Sequence, residues 1–366
     1  MIRRYLPKST EELIHWYERY ISPLSLVAGF LADNYILLRR VDLWQSNALL
    51  LTYLVVAALG IVCINIIESG RWQKRWVLAV APFIPVVVQF AFGGLFSGFL
   101  SLYSRSAAFA ASWIFVLVIA GLLLGNERFR KQYVKFSVQM SVYFMVLFSY
   151  LIFFLPVVFK KIGPGMFVVS GLLSVAVIAL FLMLLRRIVP EIVKRDMTTV
   201  ARSIAAIFIT INALYFLNAI PPLPLSLKEA GVYHMITKTG SEYRLSAEPV
   251  PWYKTYLSYN TVFHRAPGES AYAYSAIFAP SGLTTVILHQ WQRYDTKTKR
   301  WVTTDTLRFA INGGRDGGYR GYSIKSGLSP GAWRVNVLTQ YGGLIGRIAF
   351  SVADAPIAVP LTEVVK

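Results

Sequence analysis

Five charged side chains in the first third of the chain, Asp33, Arg39, Arg40, Asp42 and Arg105, combine two carboxylates with three guanidiniums. Guanidinium forks bind phosphate and carboxylate bidentately. Such a set at a membrane surface suits an anionic lipid head group or the diphosphate of a lipid-linked sugar. The same charges also suit an internal ion-pair network, with Asp33 and Asp42 answering Arg39, Arg40 or Arg105. A second group lies in the last third. His289 and Trp291 alternate onto one face of an expected strand. They are fit for hydrogen bonding near a core, or for stacking and proton handling at a ligand surface. Arg315 and Arg320 stand among the glycines of 313–321, where backbone N–H groups can approach an anion closely. A long loop whose arginines pair with Asp316 or stack on Tyr319 and Tyr322 would use the same residues.

Signatures of catalysis are scarce. The chain has no G-x-S-x-G elbow, no H-E-x-x-H, no P-loop and no G-x-G-x-x-G. Its four histidines, His15, His234, His264 and His289, show no metal-ligand spacing. The single cysteine, Cys63, lies in an apolar run and reads as a packing residue. The sequence therefore nominates no catalytic residue, no metal site and no cofactor, and it favours binding over enzymatic chemistry.

The elements that must position these residues are membrane elements. Of 366 residues, 55% are hydrophobic and only 15% charged, with a mean hydropathy of +0.51. Ordinary soluble domains carry roughly 25% charge, so this composition excludes a disordered chain and a single soluble globule. Seven apolar stretches, near 21–38, 46–67, 76–98, 106–125, 137–158, 165–186 and 201–220, have the length of bilayer-crossing helices. Within them Gly94 and Gly98 have the spacing of a close helix contact inside the chain. Gln89 and Asn212 sit mid-span and are expected to hydrogen-bond between helices.

The net charge of +19, from 37 Lys+Arg against 18 Asp+Glu, is mostly a topology signal. Basic residues cluster before the first span (Arg3, Arg4, Lys8, Arg19) and after the second (Arg71, Lys74, Arg75). They cluster again after the fourth (Arg128, Arg130, Lys131, Lys135) and the sixth (Arg186, Arg187, Lys194, Arg195, Arg202). The alternate loops hold only Arg39, Arg40, Arg105, Lys160 and Lys161. The positive-inside rule then places the N-terminus in the cytoplasm and the C-terminus outside. On this topology the cluster around Asp33 and Arg105 faces the same side as the C-terminal region. A nucleic-acid partner is disfavoured for an exported domain. Ser9 and Glu12 form a capping box that opens a short amphipathic segment over 1–20, and no cleavable signal peptide is apparent.

After Pro221-Pro222 the pattern changes. Short runs alternate apolar and polar residues between Gly, Pro, Asn and Asp, predicting strands at 241–247, 271–279, 284–294, 299–311, 319–325, 332–338 and 344–352. Tyr341-Gly342-Gly343 marks a hairpin turn between the last two. The organisation expected is a cytoplasmic amphipathic segment (1–20), a transmembrane helical bundle (21–220), a linker (221–240) and an all-β immunoglobulin-like sandwich (241–366).

Four motifs in order carry a resemblance. They are Ile287-Leu-His289-Gln-Trp291; Gly313-Gly-Arg315-Asp316-Gly-Gly-Tyr319-Arg320-Gly-Tyr322-Ser323; Pro330-Gly-Ala-Trp333-Arg334-Val335-Asn-Val337; and Gly343-Leu-Ile345-Gly-Arg347-Ile-Ala-Phe350. Over about the last 90 residues the chain resembles the bacterial domain of unknown function 2914. In that family the domain often follows a multi-span membrane region, which Gly29–Asp33, Arg40–Asp42 and Phe92–Ser97 resemble too. The resemblance implies fold, topology and a bacterial inner membrane, and it assigns no activity. The function expected is non-enzymatic, with a periplasmic sandwich that binds an envelope component or partner protein. The alternative is a lipid-handling enzyme or transporter that uses the cluster around Asp33 for a membrane lipid or lipid-linked glycan.

Overall fold

The computed structural model describes residues 43–106, 117–123, 125, 134–220, 224–240, 242–249, 261–355 and 359–366. Two compact units divide the chain, one holding Pro164–Ala219 with the earlier helices, the other holding Ile220–Lys366.

The helical unit contains α1 (Trp44–Glu68), α2 (Arg75–Val80), α3 (Ile84–Ser106), α4 (Phe136–Phe159), α5 (Pro164–Ile188) and α6 (Pro190–Phe216). A 3-10 turn at Ala81–Phe83 joins α2 to α3, and residues 117–123 are also helical. Five helical stretches are long and apolar enough to cross a membrane. They correspond to the spans expected at 46–67, 76–98, 137–158, 165–186 and 201–220. The span at 21–38 lies outside the described residues, as does most of that at 106–125. One boundary is corrected. The last helix begins at Pro190, whose fixed φ and missing N–H suit a first helical turn. Lys194 and Arg195 are therefore helical and not in a loop.

Small residues set the helix contacts. A Cβ on Gly60 of α1 would lie 2.3 Å from Val88 of α3, and one on Gly94 of α3 would lie 2.6 Å from the Tyr53 ring of α1. Gly94 thus works in packing within the chain, as its spacing suggested. Asn212 differs from expectation, because its amide donates to the Phe208 carbonyl of its own helix at 2.8 Å. A polar link between helices is made by Asn65 of α1, which donates to Gln139 of α4 at 2.6 Å.

The β unit has eleven described strands: β1 (Ser226–Tyr233), β2 (Met235–Thr239), β3 (Glu242–Ala247), β4 (Thr261–Arg265), β5 (Ala271–Phe278), β6 (Thr284–Asp295), β7 (Arg300–Asn312), β8 (Tyr319–Lys325), β9 (Gly331–Thr339), β10 (Leu344–Asp354) and β11 (Thr362–Val365). Each of the seven predicted runs is a strand to within two residues at either end. The segment 221–240, expected as a linker, instead contributes β1 and β2, and β1 pairs with β5 along its whole length.

Three sheets form, ordered β1-β5-β8, β4-β10-β9-β6-β7 and β11-β3-β2, one more than the two of the expected sandwich. The cause lies in β5, whose sequence Ala-Tyr-Ala-Tyr-Ser-Ala-Ile-Phe is apolar on both faces. Ala271, Ala273 and Ile277 pack with Trp291, Trp333, Val335, Val337 and Phe350 of the five-stranded sheet. Tyr274 and Ala276 on the opposite face pack with Ile236, Tyr243 and Leu245 of the third. The β1-β5-β8 sheet is thus a middle layer, and the five-stranded sheet keeps one face open.

Candidate functional site

His289 and Trp291 point from β6 into the core between the five-stranded and middle sheets, and both are fully buried. The imidazole bridges two serines, with Nε2 2.8 Å from Ser275 Oγ and Nδ1 2.9 Å from Ser323 Oγ. Ser323 also accepts the Trp291 indole N–H at 3.0 Å. The Phe309 ring stands edge-on to the imidazole at 5.0 Å. Gly321 leaves room for that ring, because a Cβ there would lie 2.4 Å from it. Burial pushes the His289 pKa down to about 4, so the imidazole is neutral at ordinary pH. The pair closes a core with a satisfied polar network.

Arg315 and Arg320 are not brought together. The Arg315 guanidinium lies over the Tyr319 ring at 5.5 Å, while Arg320 sits in β8 on the side of the third sheet, its carbonyl accepting the Tyr243 hydroxyl. Three glycine N–H groups of this loop have backbone partners. Gly313 donates to Leu283, Gly314 to Ala279 and Gly318 to Arg315. Asp33, Arg39, Arg40 and Asp42 lie outside the described residues, and Arg105 lies in the last turn of α3.

A cluster that the sequence did not announce joins all three sheets. His234, between β1 and β2, sets Nδ1 2.6 Å from Glu269 Oε1 and Nε2 3.0 Å from Glu248 Oε1. Its ring stacks on Phe263 at 4.3 Å. Glu248, just after β3, also receives the His264 backbone N–H and faces His264 Nδ1, both at 2.7 Å. Glu269, just before β5, accepts the Ala266 N–H. Desolvation alone would raise the Glu248 carboxyl, but the bonds from His264 and His234 outweigh it and hold the pKa below its usual range. A neutral imidazole has one N–H, while His234 meets a carboxylate oxygen at each nitrogen. The cluster's nitrogen and oxygen atoms bond directly to one another, and no metal-holding group of three or more occurs among the described residues.

The open face of the five-stranded sheet carries a hydrogen-bonded polar grid. On β6 and β9, Gln290 stands opposite Asn336 and Gln292 opposite Arg334; on β10, Arg347 stands opposite Asn336. Arg334 Nε donates to Gln292 at 2.7 Å, and Arg347 Nε to Asn336 at 2.7 Å. The Asn336 amide donates to Gln290 and Gln292, and the Gln292 amide to Gln290 and Thr303. The Arg334 guanidinium lies 4.2 Å over the Trp301 ring, which Tyr294 meets edge-on. Desolvation and the neighbouring charge of Arg347 lower the Arg334 pKa to about 10, and desolvation lowers that of Arg347. Neither arginine has a carboxylate partner among the described residues.

Alternation could have exposed this grid. In His289-Gln290-Trp291-Gln292 and Trp333-Arg334-Val335-Asn336 the members between the core residues are all polar. The inward positions alone do not reveal them. No comparable signal existed for His234, Glu248, His264 and Glu269, which come together only through the strand crossings.

Residues 284–352 match the family described as protein of unknown function, DUF2914. This region runs from β6 into β10 and contains the whole open-face grid together with His289, Trp291 and Ser323. No curated protein matches the chain. Among solved structures, the Pseudomonas fluorescens alkylpurine DNA glycosylase AlkC bound to DNA containing an abasic site analog aligns over 82% of this chain and 97% of that one. The identity is 11% and the TM-score 0.20.

Proposed function

We propose that this chain is a non-enzymatic membrane-anchored binding protein. Its helices sit in a bacterial inner membrane with the N-terminus cytoplasmic. They present a periplasmic β unit, an immunoglobulin-like sandwich widened by a third sheet, that binds an envelope component or partner protein. The observation that carries the reading is the open face of the five-stranded sheet. The middle sheet is covered on both sides, whereas this face presents Gln290, Gln292, Arg334 and Arg347 in a grid tied together by the buried Asn336. Side chains locked by one another lose little entropy on binding, which favours recognition. The excess of basic residues in alternate loops supports the orientation.

Site-specific photocrosslinking in intact cells tests it. A photoreactive side chain at Thr306, on the open face, should trap a discrete envelope species. The same group at Lys238, on the third sheet, should not. Equal trapping at both positions, or none at Thr306, would overturn the reading.

A further inference from the structure

We infer that the open face binds an acidic saccharide through Arg334 and Arg347; this rests on the open face being the binding surface. The two arginines stand on neighbouring strands at diagonal positions, since Arg334 pairs with Ala349 and Arg347 with Asn336. Diagonal residues on one sheet face are about 7–8 Å apart at the backbone, close enough for one anionic group to meet both guanidiniums.

The hydrogen-bond directions select the ligand. The Asn336 amide oxygen accepts from Arg347 Nε, and the Gln292 amide oxygen accepts from Arg334 Nε and from the Asn336 amide N–H. The grid thereby fixes each guanidinium by its Nε and leaves the terminal NH2 groups of both arginines, with the Gln290 amide N–H groups, without a protein partner among the described residues. What faces out is a donor surface with two positive charges, which an acceptor-rich anion complements.

Other charges nearby do not neutralise it. On the same strands, Asp295 is bonded to Lys297 and Thr298 at the end of β6. Asp305 pairs with Lys325 of the middle sheet, and Asp354 pairs with Arg265. Arg308 adds a third positive charge to the open face, opposite Leu288. Around the arginine pair stand the neutral polar groups Gln290, Thr303 and Thr306, matching the hydroxyls of a sugar.

The test uses the full-length protein in detergent micelles and calorimetric titration with trigalacturonate, uncharged galactotriose, inorganic phosphate and, in nanodiscs, vesicles of anionic phospholipid. The expected result is saturable trigalacturonate binding that weakens with salt, falls at least tenfold in Arg334→Gln and in Arg347→Gln, and is not matched by galactotriose. Arg308→Gln, one strand pair away, should lose less. Binding of trigalacturonate that is equal in wild type and both variants overturns the inference, as does binding of phosphate or vesicles alone. Unchanged thermal unfolding of the variants would show that the loss is one of binding. Photocrosslinking at Thr306 that persists in the Arg334→Gln, Arg347→Gln double variant would reject the acidic saccharide while leaving the binding surface standing. Its absence in wild type would reject the surface itself.

Discussion

The Nε2 of His289 lies 2.8 Å from the Ser275 hydroxyl, so a hydrogen bond closes the gap between β6 and β5 where neighbouring layers close it with hydrocarbon. Burial holds the imidazole pKa at about 4 against an ordinary 6.5. An unfolded chain takes up a proton near 6.5 that the folded core refuses. Stability from this site is therefore complete above pH 6.5 and declines as pH falls toward 4, by up to about 3 kcal/mol in all. Denaturant unfolding followed by tryptophan fluorescence should show this slope, and His289→Gln should flatten it. Ser323→Ala, which strips a partner from both His289 and Trp291, should cost about 1–3 kcal/mol and more than Ser275→Ala.

The glycines of 313–321 differ in what they do. A Cβ at Gly313 would lie 1.8 Å from the Pro280 carbonyl oxygen, a backbone atom that cannot step aside, whereas one at Gly317 meets nothing within 4 Å. Gly313→Ala should destabilise by about 3 kcal/mol or prevent folding, and Gly317→Ala should stay within about 0.5 kcal/mol of wild type. Similar melting temperatures for the two variants would contradict this packing.

The clasp around His234 makes an acid-side prediction. Glu248 has a lowered pKa because His264 and His234 hydrogen-bond its carboxylate against the cost of desolvation. Its contribution is present above the ordinary carboxylate range and is lost as pH falls through it. Glu248→Gln should be less stable than wild type near neutrality, with the difference shrinking below about pH 4.5. Long-range nitrogen NMR on histidine-labelled protein should also show the ring nitrogens of His234 shifting when Glu269→Gln is introduced. An unmoved His234 signal would break the connection.

In the helical unit, Asn65 and Gln139 meet at 2.6 Å, both fully buried. Asn65→Leu and Gln139→Leu should each lower resistance to SDS unfolding by about 1 kcal/mol. The double variant should lose less than the sum, because each single change orphans the other amide. Strict additivity would mean that the pair is not coupled.

Local chemistry determined much of this protein from the sequence alone. Apolar length fixes helices at five of the expected spans, since a bilayer core demands it. Runs of apolar, aromatic and β-branched residues between turn residues mark β5 through β10 almost residue by residue. Alternation also placed His289 and Trp291 on one face, together. What the sequence left open depended on partners far along the chain. The third sheet exists because Tyr274 and Ala276 find Ile236 and Leu245, a contact between runs read separately as linker and strand. Glu248 and Glu269 flank His234 only after β3, β4 and β5 have crossed between sheets, and Asn65 finds Gln139, 74 positions along the chain. The open-face arginines are visible as alternate residues, but the partners of their charge are not. Whether a guanidinium meets a carboxylate or an amide is decided by strand register, and register is settled by the packed sheet as a whole.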